Sequence, residues 1–198
     1  VIIGDTIKMG YFKQGHEDMD PKMRVIDYIK ETAQILNTSD GQLSAKQMCE
    51  RFLFDSQMQY TPIERLSGGE KRRLYLLNIL MQAPNVLLFD EPTNDLDITT
   101  LAILEDYLDS FNGIIITVSH DRYFLERITN KIFELDCSKI YEYEANYSNY
   151  LELKQQREEI TLASERKRKL FLKKELEWVR AGVQARSTKS KDRLKRFE

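Results

Sequence analysis

Leu66-Ser67-Gly68-Gly69-Glu70, and beyond it Val86-Leu87-Leu88-Phe89-Asp90-Glu91-Pro92, decide how this chain folds. Ser67 with Glu70 three residues on is a capping box, and Leu74, Leu77, Leu80 and Met81 follow at helical spacing, so a helix starts here. Its first-turn N–H groups have no partner inside the helix, and its dipole is positive at this end. Gly68 and Gly69 carry no side chains, so an anion can approach the backbone closely. An ordinary helix start needs only the cap. Two glycines inside the helix cost it roughly 1 kcal/mol each, which a bound anion would offset.

The run Val86-Leu87-Leu88-Phe89 follows Pro84-Asn85, is short and unalternating, and predicts a parallel strand buried on both faces. Its carboxyl end delivers Asp90 and Glu91 to the edge where open α/β sheets bind ligands. Ile114-Ile115-Ile116-Thr117-Val118 is a second such strand, ending in Ser119-His120. The helix between them, over about residues 99–110, shows Leu101, Leu104 and Leu108 on one face. Strand, helix and strand make a right-handed βαβ unit that sets Asp90, Glu91 and His120 on one rim. Asp90 suits Mg²⁺, directly or through water. Glu91 suits an attacking water, and His120 a terminal phosphate. Strand-end acids are often caps and a single histidine is often a surface residue. The combination with Ser67–Glu70 weakens that plain reading.

The order Leu66-Ser67-Gly68-Gly69-Glu70, Asp90-Glu91-Pro92-Thr93-Asn94-Asp95-Leu96-Asp97, Ser119-His120-Asp121-Arg122 resembles an ATP-binding cassette. The likeness is to the signature motif, Walker B with its catalytic glutamate, the D-loop and the switch histidine. Pro92-Thr93-Asn94 and Asp121-Arg122-Tyr123-Phe124-Leu125 resemble the ABC-F subfamily, whose members are translation factors and ribosome-protection proteins. The resemblance implies ATP and Mg²⁺ as cofactors. It implies catalytic roles for Glu91, His120 and Gln14, metal contact from Asp90 and Gln14, and nucleotide contact from Ser67, Gly68, Gly69, Glu70, Asp95 and Asp97. Gln14 enters because Phe12-Lys13-Gln14 is similar to the strand end that carries a cassette's Q-loop.

The chain has 198 residues and a net charge of −2, unevenly spread. Residues 146–198 hold 15 Lys/Arg against 8 Asp/Glu, and residues 1–145 hold 15 against 24. A basic tail on an acidic body points to an anionic partner. No apolar run is long enough to span a bilayer, and no signal peptide is visible. Cys49 and Cys137 have neither metal nor disulfide spacing and read as reduced thiols, which with the rest predicts a cytoplasmic protein.

Along the chain, residues 1–3 and 6–12 read as two strands about a turn at Gly4-Asp5. Gly10 and Gly15 have the spacing of a phosphate loop, but His16-Glu17 follow where Lys and Ser/Thr belong, so that match is a decoy. No other glycine pair fits, and the 198 residues contain no Walker A lysine. In the family that motif lies upstream of the Q-loop, which implies that the chain is a fragment, inactive by itself. Helices are predicted over 21–35 and, capped by Ser44, through Phe54, with a loop over 37–41 and a short element over 62–66. They resemble the helical subdomain that presents the signature, about residues 20–82. A short helix over 121–128 and a hairpin of 131–135 with 139–143 follow.

Residues 148–180 lack Gly and Pro and read as a long polar helix with a thin apolar stripe. Ala181-Gly182 breaks it, and residues 187–197 begin a return helix. Around the break cluster Arg180, Arg186, Lys189, Lys191, Arg193, Lys195 and Arg196, opposed by Asp192. A solvated face is the plain reading; clustering at a helical tip on an acidic protein favours phosphate binding. The stretch resembles the arm that joins the two cassettes of ABC-F proteins.

The expectation is therefore an α/β fold: the distal part of a P-loop cassette over 1–145, parallel sheet plus helical subdomain, then an incomplete helical-hairpin, coiled-coil arm over 146–198. The implied partners are a second cassette that supplies Walker A in trans, and the ribosome, rRNA and tRNA through the arm. The rivals are the ATPase subunit of a membrane transporter, against which the arm speaks, and a non-catalytic RNA-binding module.

Overall fold

A computed structural model of the chain describes residues 4–14, 19–38 and 41–180. In chain order the elements are β1 (Met9–Phe12), α1 (Val25–Thr32), β2 (Ile35–Thr38), β3 (Gly41–Ser44), α2 (Ala45–Arg51), α3 (Gly68–Met81), β4 (Val86–Asp90), α4 (Pro92–Asp95), α5 (Ile98–Asp109), β5 (Ile114–Val118), α6 (Arg122–Ile128), β6 (Ile132–Asp136), β7 (Lys139–Tyr143) and α7 (Tyr147–Arg180). Two 3-10 turns, Met58–Tyr60 and Ile63–Arg65, lead into α3. The chain divides into two units, Val1–Tyr147 and Ser148–Glu198.

The apolar runs form a parallel sheet in the order β1-β4-β5, with Phe12 opposite Phe89 and Asp90 opposite Val118. From Arg72 to Met81 every residue of α3 is buried. The helix lies down on β1 at Gly10, where an added Cβ would come within 2.7 Å of Ile79 Cγ2 and 3.1 Å of Leu87 Cδ2. So Gly10 serves close helix–strand packing, not a phosphate. Phe12, Leu87 and Phe89 are buried on that face, with Phe12 stacked 5.6 Å from Tyr75.

Burial of the sheet on both faces does not hold among the described residues. Buried strand residues belong to one face. The other presents Met9, Tyr11, Ile114, Ile116 and Val118, with Ile114 and Val118 each 61% exposed. An unalternating apolar sequence says that both faces are apolar, not that this stretch of chain covers them both.

The helix predicted over 21–35 is shorter. Residues 21–23 form a turn and Arg24 is extended, and the stretch is tied to 61–64: Val25 N–H donates to Thr61 O, Ile63 N–H to Met23 O and Glu64 N–H to Pro21 O, and Arg24 bridges Pro62. Helix α1 ends at Ala33, which is extended at φ −160° and ψ 144°. Of the loop predicted over 37–41, Asn37 and Thr38 end β2 and Gly41 begins β3, antiparallel strands in which Ile35 lies opposite Ser44 and Leu36 is buried. Gly41 takes φ +129°, a conformation open to glycine. Ser44 caps α2 through a capping box as predicted, but α2 stops at Arg51, and Leu53 follows at φ 60°.

The β6-β7 hairpin forms, and both of its turn residues, Cys137 and Ser138, are left-handed at φ 47° and 61°, as a two-residue hairpin loop requires. Helix α7, all but its first residue in the second unit, runs for 34 residues, about 50 Å at 1.5 Å per residue. The expected strand at residues 1–3, and the break and return helix after Arg180, lie outside the described residues. No described helix is long and apolar enough to cross a membrane.

Candidate functional site

Three parallel strands ending together build one rim. Gln14 stands two residues past β1, Asp90 ends β4 with Glu91 next, and His120 stands two residues past β5. The structure thus brings Gln14, Asp90, Glu91 and His120 to the same edge of the sheet.

Glu91 is the constrained member. It sits in left-handed backbone, φ 48° and ψ 54°, between the last residue of β4 and Pro92, which opens α4. A left-handed glutamate costs on the order of 1–3 kcal/mol and persists where surrounding contacts impose it. Its N–H donates to Val118 O at 2.9 Å. Its carboxylate, 7% exposed as a residue, accepts from the His120 backbone N–H at 3.3 Å on Oε2. His120 Nε2 lies 3.5 Å from Oε1, with the imidazole 97% exposed. One buried carboxylate is therefore aimed along the rim beside a freely accessible imidazole. Next to it, Thr93 Oγ1 and Ser119 Oγ lie 3.4 Å apart and join the two strand-end turns. Asp90 shares the open face of the sheet with Val86 and Leu88 by strand alternation.

The Ser67 turn has the predicted cap. Ser67 Oγ accepts from Glu70 N–H at 3.3 Å, and Glu70 Oε2 accepts from Ser67 N–H at 2.7 Å. That backbone N–H, then the Ser67 hydroxyl, hold the Glu70 carboxyl below its usual range. A Cβ added at Gly68 or Gly69 would meet nothing within 4 Å. Neither glycine is demanded by packing or by a left-handed backbone, so the turn is bare toward its surroundings.

Asp97 N-caps α5: Oδ1 accepts from Thr100 N–H at 2.8 Å, and Oδ2 accepts from the Thr100 hydroxyl at 2.9 Å. The Thr100 amide is the main reason its carboxyl sits low. Arg73 Nη1 lies 3.6 Å from Asp97, and its guanidinium stands 5.0 Å from the Phe54 ring centre. Asp95 ends α4 and pairs with Arg72 Nη2 at 2.9 Å. Sequence reasoning missed Arg72 and Arg73. The available signal was two successive charges opening the buried stretch of a helix, where charge persists only when paired.

Among the described residues no three His, Cys, Asp or Glu side chains gather as a metal cage. Nucleotide-bound Mg²⁺ does not need one, because one or two protein oxygens, waters and phosphate oxygens complete its octahedron. Asp90, with the Gln14 amide oxygen on the neighbouring strand end, fits that demand. The bare Gly68-Gly69 turn, at the positive end of the helix dipole, fits a phosphate. Of the seven basic arm residues, Arg180 is the last residue of α7. Arg186, Lys189, Lys191, Arg193, Lys195 and Arg196 lie outside the described residues.

Two family models, both described as ABC transporter, match this chain, one over residues 5–94 and the family's extension over residues 133–198. The uncharacterized ABC transporter ATP-binding protein YfmR of Bacillus subtilis is 49% identical over 191 residues, covering 90% of this chain and 30% of that protein. The energy-dependent translational throttle protein EttA is 47% identical in Mycobacterium tuberculosis, covering 69% of this chain and 25% of that protein. EttA of Escherichia coli K12 is 46% identical, covering 69% and 24%. The chain thus spans less than a third of the length of these relatives. A solved structure titled "Structure of ATP binding subunit of ABC transporter" superposes with a TM-score of 0.56 at 14% identity, over 69% of this chain and 58% of that one. That likeness bears on the fold.

Proposed function

Because the chain belongs to the ATP-binding cassette family, in its ABC-F branch, we propose that it is part of a cytoplasmic ATPase that acts on the ribosome. The observation that carries the reading is Glu91, a buried carboxylate on a left-handed strand end, hydrogen-bonded to the backbone of His120. Such an outlier costs energy to hold, and residues held in this way cluster at functional sites. In this reading Glu91 takes the proton of an attacking water, and Gln14 and His120 orient the water and the terminal phosphate. Asp90 and Gln14 hold the metal. Magnesium nucleotide, when bound, supplies the reacting phosphoryl group and neutralises its charge.

Ser67, Gly68 and Gly69 meet the γ-phosphate of a nucleotide held by the phosphate loop of a second cassette, with Asp95 and Asp97 along the same interface. Glu70 contributes through the cap that holds the turn. The 198 residues contain no G-x-x-x-x-G-K-[ST] loop, so hydrolysis requires residues beyond them, and the chain alone turns over no ATP. Residues 1–145 act as the cassette portion and 146–198 as the arm, whose basic residues bind rRNA or tRNA. The translational throttle named for EttA supports a ribosomal target.

The test is ribosome and tRNA binding at several salt concentrations, wild type beside a variant with Arg186, Lys189, Lys191 and Arg193 changed to Gln. Binding should weaken steeply with salt, and the variant should flatten the log–log slope by about one unit for each phosphate it no longer neutralises. Equal slopes and affinities would remove the ribosomal reading, and recovery in the membrane fraction would favour a transporter subunit.

A further inference from the structure

Arg72 is buried, yet its polar partners lie on two segments outside its own helix. Nη2 donates to the backbone carbonyl of Lys13, the residue before Gln14. It also pairs at 2.9 Å with Asp95, whose side chain is 36% exposed in the turn between Glu91 and α5. The guanidinium lies 3.9 Å over the Phe12 ring and 5.6 Å from the Tyr75 ring centre. Phe12 ends β1, so the cation is laid flat on the strand that leads to Gln14. Arg72 itself lies about one helical turn beyond Gly69 in the same continuous helix, at the point where its burial begins.

We infer that Arg72 is a positioning residue: it fastens the Gln14 strand end and the Asp95 turn to the helix that opens at Ser67-Gly68-Gly69. Displacement of that helix start by a bound phosphate then reaches both sides of Glu91 through one guanidinium. The kinetic part of this inference rests on the ATPase reading; the mechanical part does not.

A buried ion pair that merely holds the fold would involve the same two residues. Three features go beyond that. One cation serves a backbone carbonyl and a carboxylate on different segments. Both segments border the rim residues. The planar, forked guanidinium is used for both stacking and donation, which a lysine cannot reproduce. The neighbouring Arg73 differs, since it pairs with Asp97, the cap of α5, and stands over Phe54.

The experiment uses the full-length protein with Arg72→Lys, Arg72→Gln, Asp95→Asn, the Arg72→Gln/Asp95→Asn double variant, and Glu91→Gln as the activity control. Steady-state kinetics are read with amide hydrogen exchange of the nucleotide-free protein. Arg72→Gln and Arg72→Lys should lower kcat about tenfold, with KM for ATP changed less than about twofold. The double variant should be no slower than Arg72→Gln, because the two residues act as one link. Exchange should quicken in residues 13–14 and 93–97 with the rest of the core unchanged. Wild-type kcat in a folded Arg72→Gln protein, additive losses in the double variant, or exchange quickened evenly across the core would each overturn the inference. If Arg72→Gln does not fold, Arg72→Lys decides by the same readouts. If the wild type shows no turnover that Glu91→Gln removes, the ATPase reading fails, and exchange alone decides whether Arg72 links the two segments.

Discussion

Replacing both Gly68 and Gly69 by Ala should stabilise the protein. In most helices a glycine in the first turn would leave this in doubt, but here the geometry is open. An added Cβ at either position meets nothing within 4 Å, and neither glycine has a left-handed φ. The two methyl groups disturb no neighbour and introduce no strain, so what remains is the entropy that alanine removes from the unfolded chain and its better helix propensity. At first-turn positions about 0.5 kcal/mol each is a reasonable size, so about 1 kcal/mol for the pair. For a protein of this length that is a rise in Tm of about 2–4 °C. Differential scanning calorimetry of wild type and the Gly68→Ala/Gly69→Ala variant measures it. In the complete protein the same change should weaken ATP-driven closure, read as an interdomain distance, because two methyl groups now stand where a phosphate would approach. A lower Tm would refute the reasoning: it would mean that the glycines serve the chain's own backbone, and the case for an outside ligand at this turn would lose its footing.

Gly10→Ala should do the opposite. Its Cβ would stand 2.7 Å from Ile79 Cγ2, 3.1 Å from Leu87 Cδ2 and 3.2 Å from Pro84 Cγ. Overpacking of this kind costs about 1–3 kcal/mol, and a urea midpoint equal to wild type would show that α3 can lift from β1 freely. Glu70→Gln tests the cap through pH. The Ser67 backbone N–H, then its hydroxyl, hold the Glu70 carboxyl below its usual range, so its contribution is present above the ordinary value of about 4.3 and fades as pH falls through the depressed one. The stability gap between wild type and variant should therefore be open at pH 7 and close as pH falls below about 4; a gap that stays constant would mean that the carboxylate is not held by the cap.

Elements whose identity rests on local chemistry were legible. Ser67 and Ser44 both cap as their sequences predict, because a capping box is written entirely within four residues. The parallel strands β4 and β5 were visible as apolar runs, and the hairpin of β6 and β7 as alternation around a short turn. Elements settled by distant partners were not. Residues 21–24 were expected to be helical, but backbone hydrogen bonds to 61–64 hold them in a turn and a single bridge. The stretch Ile35-Leu36-Asn37-Thr38 reads as a helix tail into a loop. Its pairing with β3 and the burial of Leu36 make it a strand.

The rim was legible because each member closes a strand, and a parallel sheet brings carboxyl ends together whatever the loops do. The arginines behind it were not, for a different reason. A buried charge announces that it has a partner without saying which. Arg72 and Arg73 faced two acids of the same turn, Asp95 and Asp97, and composition allows either pairing. Successive helix residues point about 100° apart, so the rotation of α3 decides the matter. That rotation is set elsewhere, by Ile79 against Gly10 and by Tyr75 stacked on Phe12. With these seated, Arg72 turns to β1 and reaches Asp95, while Arg73 turns to Phe54 and Asp97. The glycine that mimics a phosphate loop thus helps to determine which arginine stands behind Gln14. That is why Gly10→Ala should disturb the Arg72 link as well as the core.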